Sequence, residues 1–194
     1  MCDTEYLPTD KANHSIGRKR VIIEVGHGLT LSGKDDPGAL GPEGASEWAQ
    51  LVVMASYIRN ILEPDFSVLV WDQPIDSPEL FHSRHPSEAF VSLHLNAFDK
   101  RSQGSEVFVR EPITVDSDRL ARAVLASCCA FLKLRNRGVR PSPLRILKGA
   151  PGAACLVEPF FIDAVASRAE LASLVMISAQ AIASGIANYL KGVS

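Results

Sequence analysis

The sequence has no surplus of either charge: 20 lysines and arginines stand against 22 aspartates and glutamates, a formal net charge of -2. A protein that grips a phosphate backbone needs an excess of cations, so nucleic-acid binding is not expected. Long apolar runs are absent as well. The longest are strand-length, which argues against a membrane span. The opening MCDTEYLPTDKANHSIGRKR places acids early and bases late, with no apolar stretch between them. It does not read as a secretory signal. The expectation is synthesis in the cytoplasm, with residues 1–19 a flexible arm and residues 20–194 a single domain. The four cysteines, Cys2, Cys128, Cys129 and Cys155, form no C-x-x-C pair. Small buried thiols in a reducing compartment suit them better than a disulfide framework or a cysteine-rich zinc site. The first strand-to-helix turn carries neither G-x-G-x-x-G nor G-x-x-x-x-G-K-[ST], which disfavours a nucleotide-binding fold. No Ser/Gly linker and no internal repeat divides the chain.

What is present is ordinary globular material, 46% hydrophobic and 22% charged over 194 residues, enough for one sizeable core. Strand patterns recur at residues 20–25, 67–72, 89–95, 104–109 and 153–157, with a shorter one near 144–147. Helical spacing appears between them. One helix is expected over 47–62, capped by Ser46, with Leu51, Met54, Ile58 and Ile61 as its apolar stripe. A second covers 118–134, capped by Asp116 or Ser117, with Leu120, Val124, Cys128 and Phe131 on one face. A third covers 168–190 through Leu171, Leu174, Val175, Ile182, Ile186 and Tyr189, and Ser178 falls on that same face. Strands alternating with long amphipathic helices predict an α/β domain, a mostly parallel central sheet flanked by helices. Residues 29–45 read as a glycine-rich loop, and residues 135–143 as polar and exposed.

Four polar residues occupy positions that apolar ones would be expected to fill. His27 sits between Gly26 and Gly28 at the end of VIIEV. His94 lies in AFVSLHLNA, Glu158 ends AACLVE, and Glu47 falls on the buried face of the first helix beside Leu51, Met54 and Ile58. Each has an ordinary explanation: a turn histidine, a hydrogen-bonded core histidine, a paired strand-end carboxylate, a helix-dipole acid. Together they are costly, because polar groups in apolar settings each need a partner. Parallel strands bring their carboxyl ends to one sheet edge, where α/β sites form. Two histidines and a carboxylate make a catalytic-type zinc set with one position open to water, and a further carboxylate can serve as base.

These residues resemble the type 3 catalytic domain of the zinc-dependent N-acetylmuramoyl-L-alanine amidases. The resemblance runs from about Arg20 to Leu190 and rests on VIIEVGHG, DDPGALGPEGASE, VSLHLNA, CLVEPFFID and the closing AIASGIANYL. It implies that His27, Glu47 and His94 bind one zinc ion and that Glu158 is the catalytic carboxylate. Glu43 is a rival for the Glu47 role, which the family pattern and the buried helix face both assign to Glu47. The implied reaction is hydrolysis of the amide between N-acetylmuramic acid and L-alanine in peptidoglycan. Asn96 is a candidate substrate contact or a turn residue. The chain departs from the family at Glu24-Val25, usually Asp-Pro, at Leu29, usually glycine, and in HSRHPSEA, which keeps only Arg84 of an Arg-Asn pattern. His82 and His85, spaced for a helical metal pair, are expected at the surface instead. With no leader and little room for a blocking insertion, the chain looks like an endolysin, a monomer acting on the wall after release from the cytoplasm. The alternatives are another zinc amidohydrolase, an exported housekeeping amidase, or a peptidoglycan-binding module without turnover.

Overall fold

A computed structural model of the chain describes residues 17–150 and 152–192. Most of the expected N-terminal arm, with Cys2, lies outside the described residues. Six strands form the central sheet: β1 (Arg20–Val25), β4 (Ser67–Trp71), β5 (Ala89–Leu93), β6 (Ser105–Val109), β7 (Asn136–Pro141) and β8 (Ala153–Glu158). Two short strands, β2 (Gly28–Leu29) and β3 (Asp35–Asp36), pair in the loop after β1. The helices are α1 (Glu47–Leu62), α2 (Pro78–Arg84), α3 (Val115–Leu132) and α4 (Arg168–Lys191).

The sheet order is β4-β1-β5-β8-β6-β7. Neighbours from β4 to β8 are parallel, so the carboxyl ends of β1, β5 and β8 share one edge. Strand β6 is antiparallel to β8, and β7 is parallel to β6. The last two strands therefore begin at the edge where the others end, and Glu106 lies directly opposite Glu158.

Alternation along the strands sorts their side chains between two layers. Val21, Ile23, Val91, Cys155 and Val157 pack with Leu51, Met54, Leu120, Ile182 and Ile186, so α1, α3 and α4 cover one face. Ile22, Phe90, Ala154 and Leu156 face the other way, under a thinner cover of Phe81 and Leu147. Helix α4 has the length and apolar character of a membrane span, but 50% of that window is buried in the domain, and the helix packs against α1 and α3. It is read as a core helix.

Several local expectations are revised. Thr114 caps α3 through the Ser117 N–H, so this helix starts at Val115, earlier than expected. Residues 135–143 contain β7, a half-exposed edge strand. Residues 145–147 form a 3-10 turn instead of a strand and bury Leu147. Ile61 and Phe131 belong to no buried stripe: they are 45% and 46% exposed. His82 is fully buried, contrary to the surface expectation, with Nε2 3.0 Å from the Ile146 carbonyl and its ring against Phe90. The second sheet face needs cover, and α2 supplies Phe81 and His82 for it. Burial lowers the His82 pKa, favouring the neutral ring.

Candidate metal and catalytic centre

The turn after β1 is shaped around His27. Its own backbone is left-handed (φ 66°), which is uncommon outside glycine. The ring is held at both nitrogens: Nδ1 is 2.9 Å from Asp36 Oδ2, and Nε2 is 3.2 Å from Glu47 Oε2. Gly26 makes room for the second histidine. A Cβ there would lie 2.3 Å from His94 Cε1. His94 follows β5, and its Nδ1 is 3.3 Å from Glu47 Oε1.

Glu47 is placed by α1, whose first turn is fixed by the Ser46 hydroxyl accepting from the Ala49 N–H at 3.3 Å. Its carboxylate is nearly buried and accepts backbone N–H bonds from Ala39 at 2.9 Å and Leu95 at 2.7 Å. Gly38 (φ 67°) lets the loop approach: a Cβ there would be 2.7 Å from both Glu47 Oε2 and His27 Cδ2. His27, Glu47 and His94 thus offer ligand atoms all within 4.8 Å of one another, a set able to hold a divalent metal. Glu43 is excluded from this set, since it lies in an exposed turn beside Arg168. His82 and His85 lie in the second-face layer, outside the set.

The electrostatics match that geometry. Burial opposes charge on Glu47, but the bonds from His27, His94, Leu95 and Ala39 outweigh it and hold the carboxyl at about 2. The bond to Glu47, reinforced by Asp36 against the effect of burial, raises His27 to about 9. The ionised Glu47 carboxylate bonded to a protonated His27, with His94 on its other oxygen, is an arrangement in which a metal cation can take the place of the proton. Asp36, held acidic by its bond to His27, fixes that ring from outside.

Glu158 ends β8 beside this group. Burial first, and then the Glu106 charge, push its carboxyl up to about 7, while His94 and Arg137 pull the other way. A carboxyl near neutrality can take and return a proton. Glu106 is buried and accepts from the Asn96 side chain, with Arg137 Nε 3.3 Å and Arg140 Nε 3.6 Å away. The Asn96 amide is therefore committed to the scaffold. Glu24 is buried too and accepts from the Ser92 hydroxyl on the same sheet face; burial raises its pKa. Sequence reading did not single out Asp36, Glu106 or Arg137. The reversal of β6, which brings Glu106 to the site, has no local sequence mark.

Over residues 21–188 the sequence matches the family described as N-acetylmuramoyl-L-alanine amidase. It is 27% identical to the N-acetylmuramoyl-L-alanine amidase LytC of Bacillus subtilis strain 168, across 97% of this chain and 40% of that protein. The chain thus spans less than half the length of this curated relative. The N-acetylmuramoyl-L-alanine amidase of Clostridium difficile 630 shares the fold, with a TM-score of 0.79 and 23% identity over 91% of this chain and 99% of that one. The amidase AmiC2 of Nostoc punctiforme matches at a TM-score of 0.76 and 27% identity, over 90% of this chain and 98% of its own. With nearly all of β1, the loop after it, β5, β8 and most of α4 inside the matched span, the chain belongs to the Amidase_3 family of N-acetylmuramoyl-L-alanine amidases.

Proposed function

We propose that this chain is a zinc-dependent amidase that cleaves the bond between the lactyl group of N-acetylmuramic acid and L-alanine in peptidoglycan, and that it serves as a lysin reaching the wall after release from the cytoplasm. The observation that carries the reading is the convergence of His27, Glu47 and His94 beside Glu158. Two imidazoles and one carboxylate suit zinc and leave a coordination position free. Zinc held there supplies Lewis acidity to the amide carbonyl and makes water a stronger acid. Asp36 orients the His27 ring, and the Ala39 and Leu95 amides orient the Glu47 carboxylate. Glu158 accepts the proton of the attacking water and returns it to the alanine nitrogen as that bond breaks.

Metal analysis paired with amine release from purified wall tests this. The expected result is one zinc per chain, with release abolished by chelation and restored by zinc. His27→Ala and His94→Ala should each sharply lower the metal content. Stoichiometric zinc in both variants would place the metal elsewhere. A zinc-loaded protein that frees no amino groups from wall would refute the amidase reading.

A further inference from the structure

Arg137 is built into the edge of the site with unusual care for a residue of an edge strand. Its Nε is 3.3 Å from Glu106 Oε1. The guanidinium carbon lies 4.9 Å from the centroid of the Phe161 ring, a cation–π arrangement. Gly104 (φ 138°) makes room for the stem: a Cβ there would come within 2.7 Å of Arg137 Cγ and Cδ. The side chain is nonetheless 26% exposed. Among the described residues, its two terminal nitrogens have no hydrogen bond. Because β7 runs opposite to β8, Arg137 lies at the edge that carries Glu158, near enough for its charge to act there. The result is a preoriented guanidinium with its bidentate edge unused.

We infer that Arg137 is a specificity-determining residue that binds the free α-carboxylate of the second stem-peptide residue. This rests on the peptidoglycan-amidase reading. In peptidoglycan the residue after L-alanine is a γ-linked D-glutamate, whose α-carboxylate is either free or amidated. That group lies roughly 7 Å from the scissile nitrogen, at about 3.5 Å per residue. Strand β7 stands two strands from β8, about 10 Å away, and the arginine stem leans back across Phe161 to cover the difference. A planar guanidinium pairs bidentately with a carboxylate and gains less from a carboxamide. Arg140 also approaches Glu106, but it is 51% exposed and among the described residues has no cation–π partner, so it serves as a control.

The test uses the zinc-loaded full chain and two muramyl tripeptides that differ only in whether the second residue's α-carboxylate is free or amidated. The expected preference for the free acid is ~10–100-fold in kcat/KM, the scale of a charge-assisted hydrogen bond. Arg137→Gln should erase that preference while still cleaving the amidated peptide, Arg137→Lys should keep part of it, and Arg140→Gln should keep all of it. Equal cleavage of both peptides by the unmodified chain would overturn the inference without any variant, as would a preference that survives Arg137→Gln. Cleavage of neither peptide nor of whole wall would overturn the amidase reading and this inference with it.

Discussion

In the proposed reaction Glu158 acts as a base and then as an acid, and its surroundings suit both. Burial and the opposed Glu106 hold its carboxyl at about 7, and a cation held by His27, Glu47 and His94 would pull it lower. The base form is the ionised one, so kcat/KM of the zinc-loaded chain should fall as pH drops below about 7, through the lower value set by the cation. Glu158→Gln cannot take the proton, and turnover should fall ~10²–10⁴-fold with zinc content unchanged. Steady-state kinetics on zinc-replete protein would check this, and substantial residual activity would remove Glu158 from its role. This residue, like His27, Glu47 and His94, was legible because it puts a polar group where the local pattern calls for an apolar one, at a cost that needs a reason. Asp36, Glu106 and Arg137 were not. Asp36 and Arg137 lie in polar stretches where charge costs little. Glu106 alternates with apolar neighbours as a solvent-facing strand residue would, and only the reversal of β6 turns it into the site.

At the level of elements, the crossing of α3 and α4 depends on Gly185. A glycine inside a helix ordinarily costs about 1 kcal/mol relative to alanine, so Gly185→Ala would stabilise an isolated α4. In the fold, the added Cβ would lie 2.5 Å from Val124 Cα and 2.9 Å from the Ala123 carbonyl oxygen. Those are backbone atoms and cannot swing aside, so the helices must separate. Overpacking of this kind costs ~1–3 kcal/mol, which outweighs the propensity gain at all but the low end of that range. Thermal unfolding of Gly185→Ala should show a lower midpoint by several degrees, on the scale of ~2–4 °C per kcal/mol. A midpoint that stays or rises would show that α3 and α4 can yield. Long helices and buried parallel strands were readable because their periods are strong: α1 spans the expected 47–62 and β1 the expected 20–25. Strand β7 was missed because NRGVRP, an edge strand with glycine and proline, lacks an alternating pattern. The burial of His82 was missed because α2 is one short turn-flanked helix whose inward face becomes clear only when the sheet beneath it is placed.

At the scale of the domain, the three long helices pack on one face of the sheet, while among the described residues the other carries α2 and a few turns. His27 and His94 emerge at the strand ends with their rings partly in solvent, 24% and 23% exposed. A polymeric, insoluble substrate can approach such an edge only if nothing must first move away. An amidase held in check by its own fold would bury these rings beneath a covering element. The described residues instead leave them open, so the catalytic edge should be competent as it stands. Purified, zinc-loaded chain added to isolated walls should therefore release new amino termini from the first minutes, without a lag and without an added protein. Chelation should stop the release at any time, and zinc should restart it. Time courses of amine release, with and without brief proteolysis, distinguish the cases. A chain that stays silent until a partner or a protease is supplied would show that access is controlled within the protein, and the reading of an unaided lysin would then give way to that of a regulated amidase.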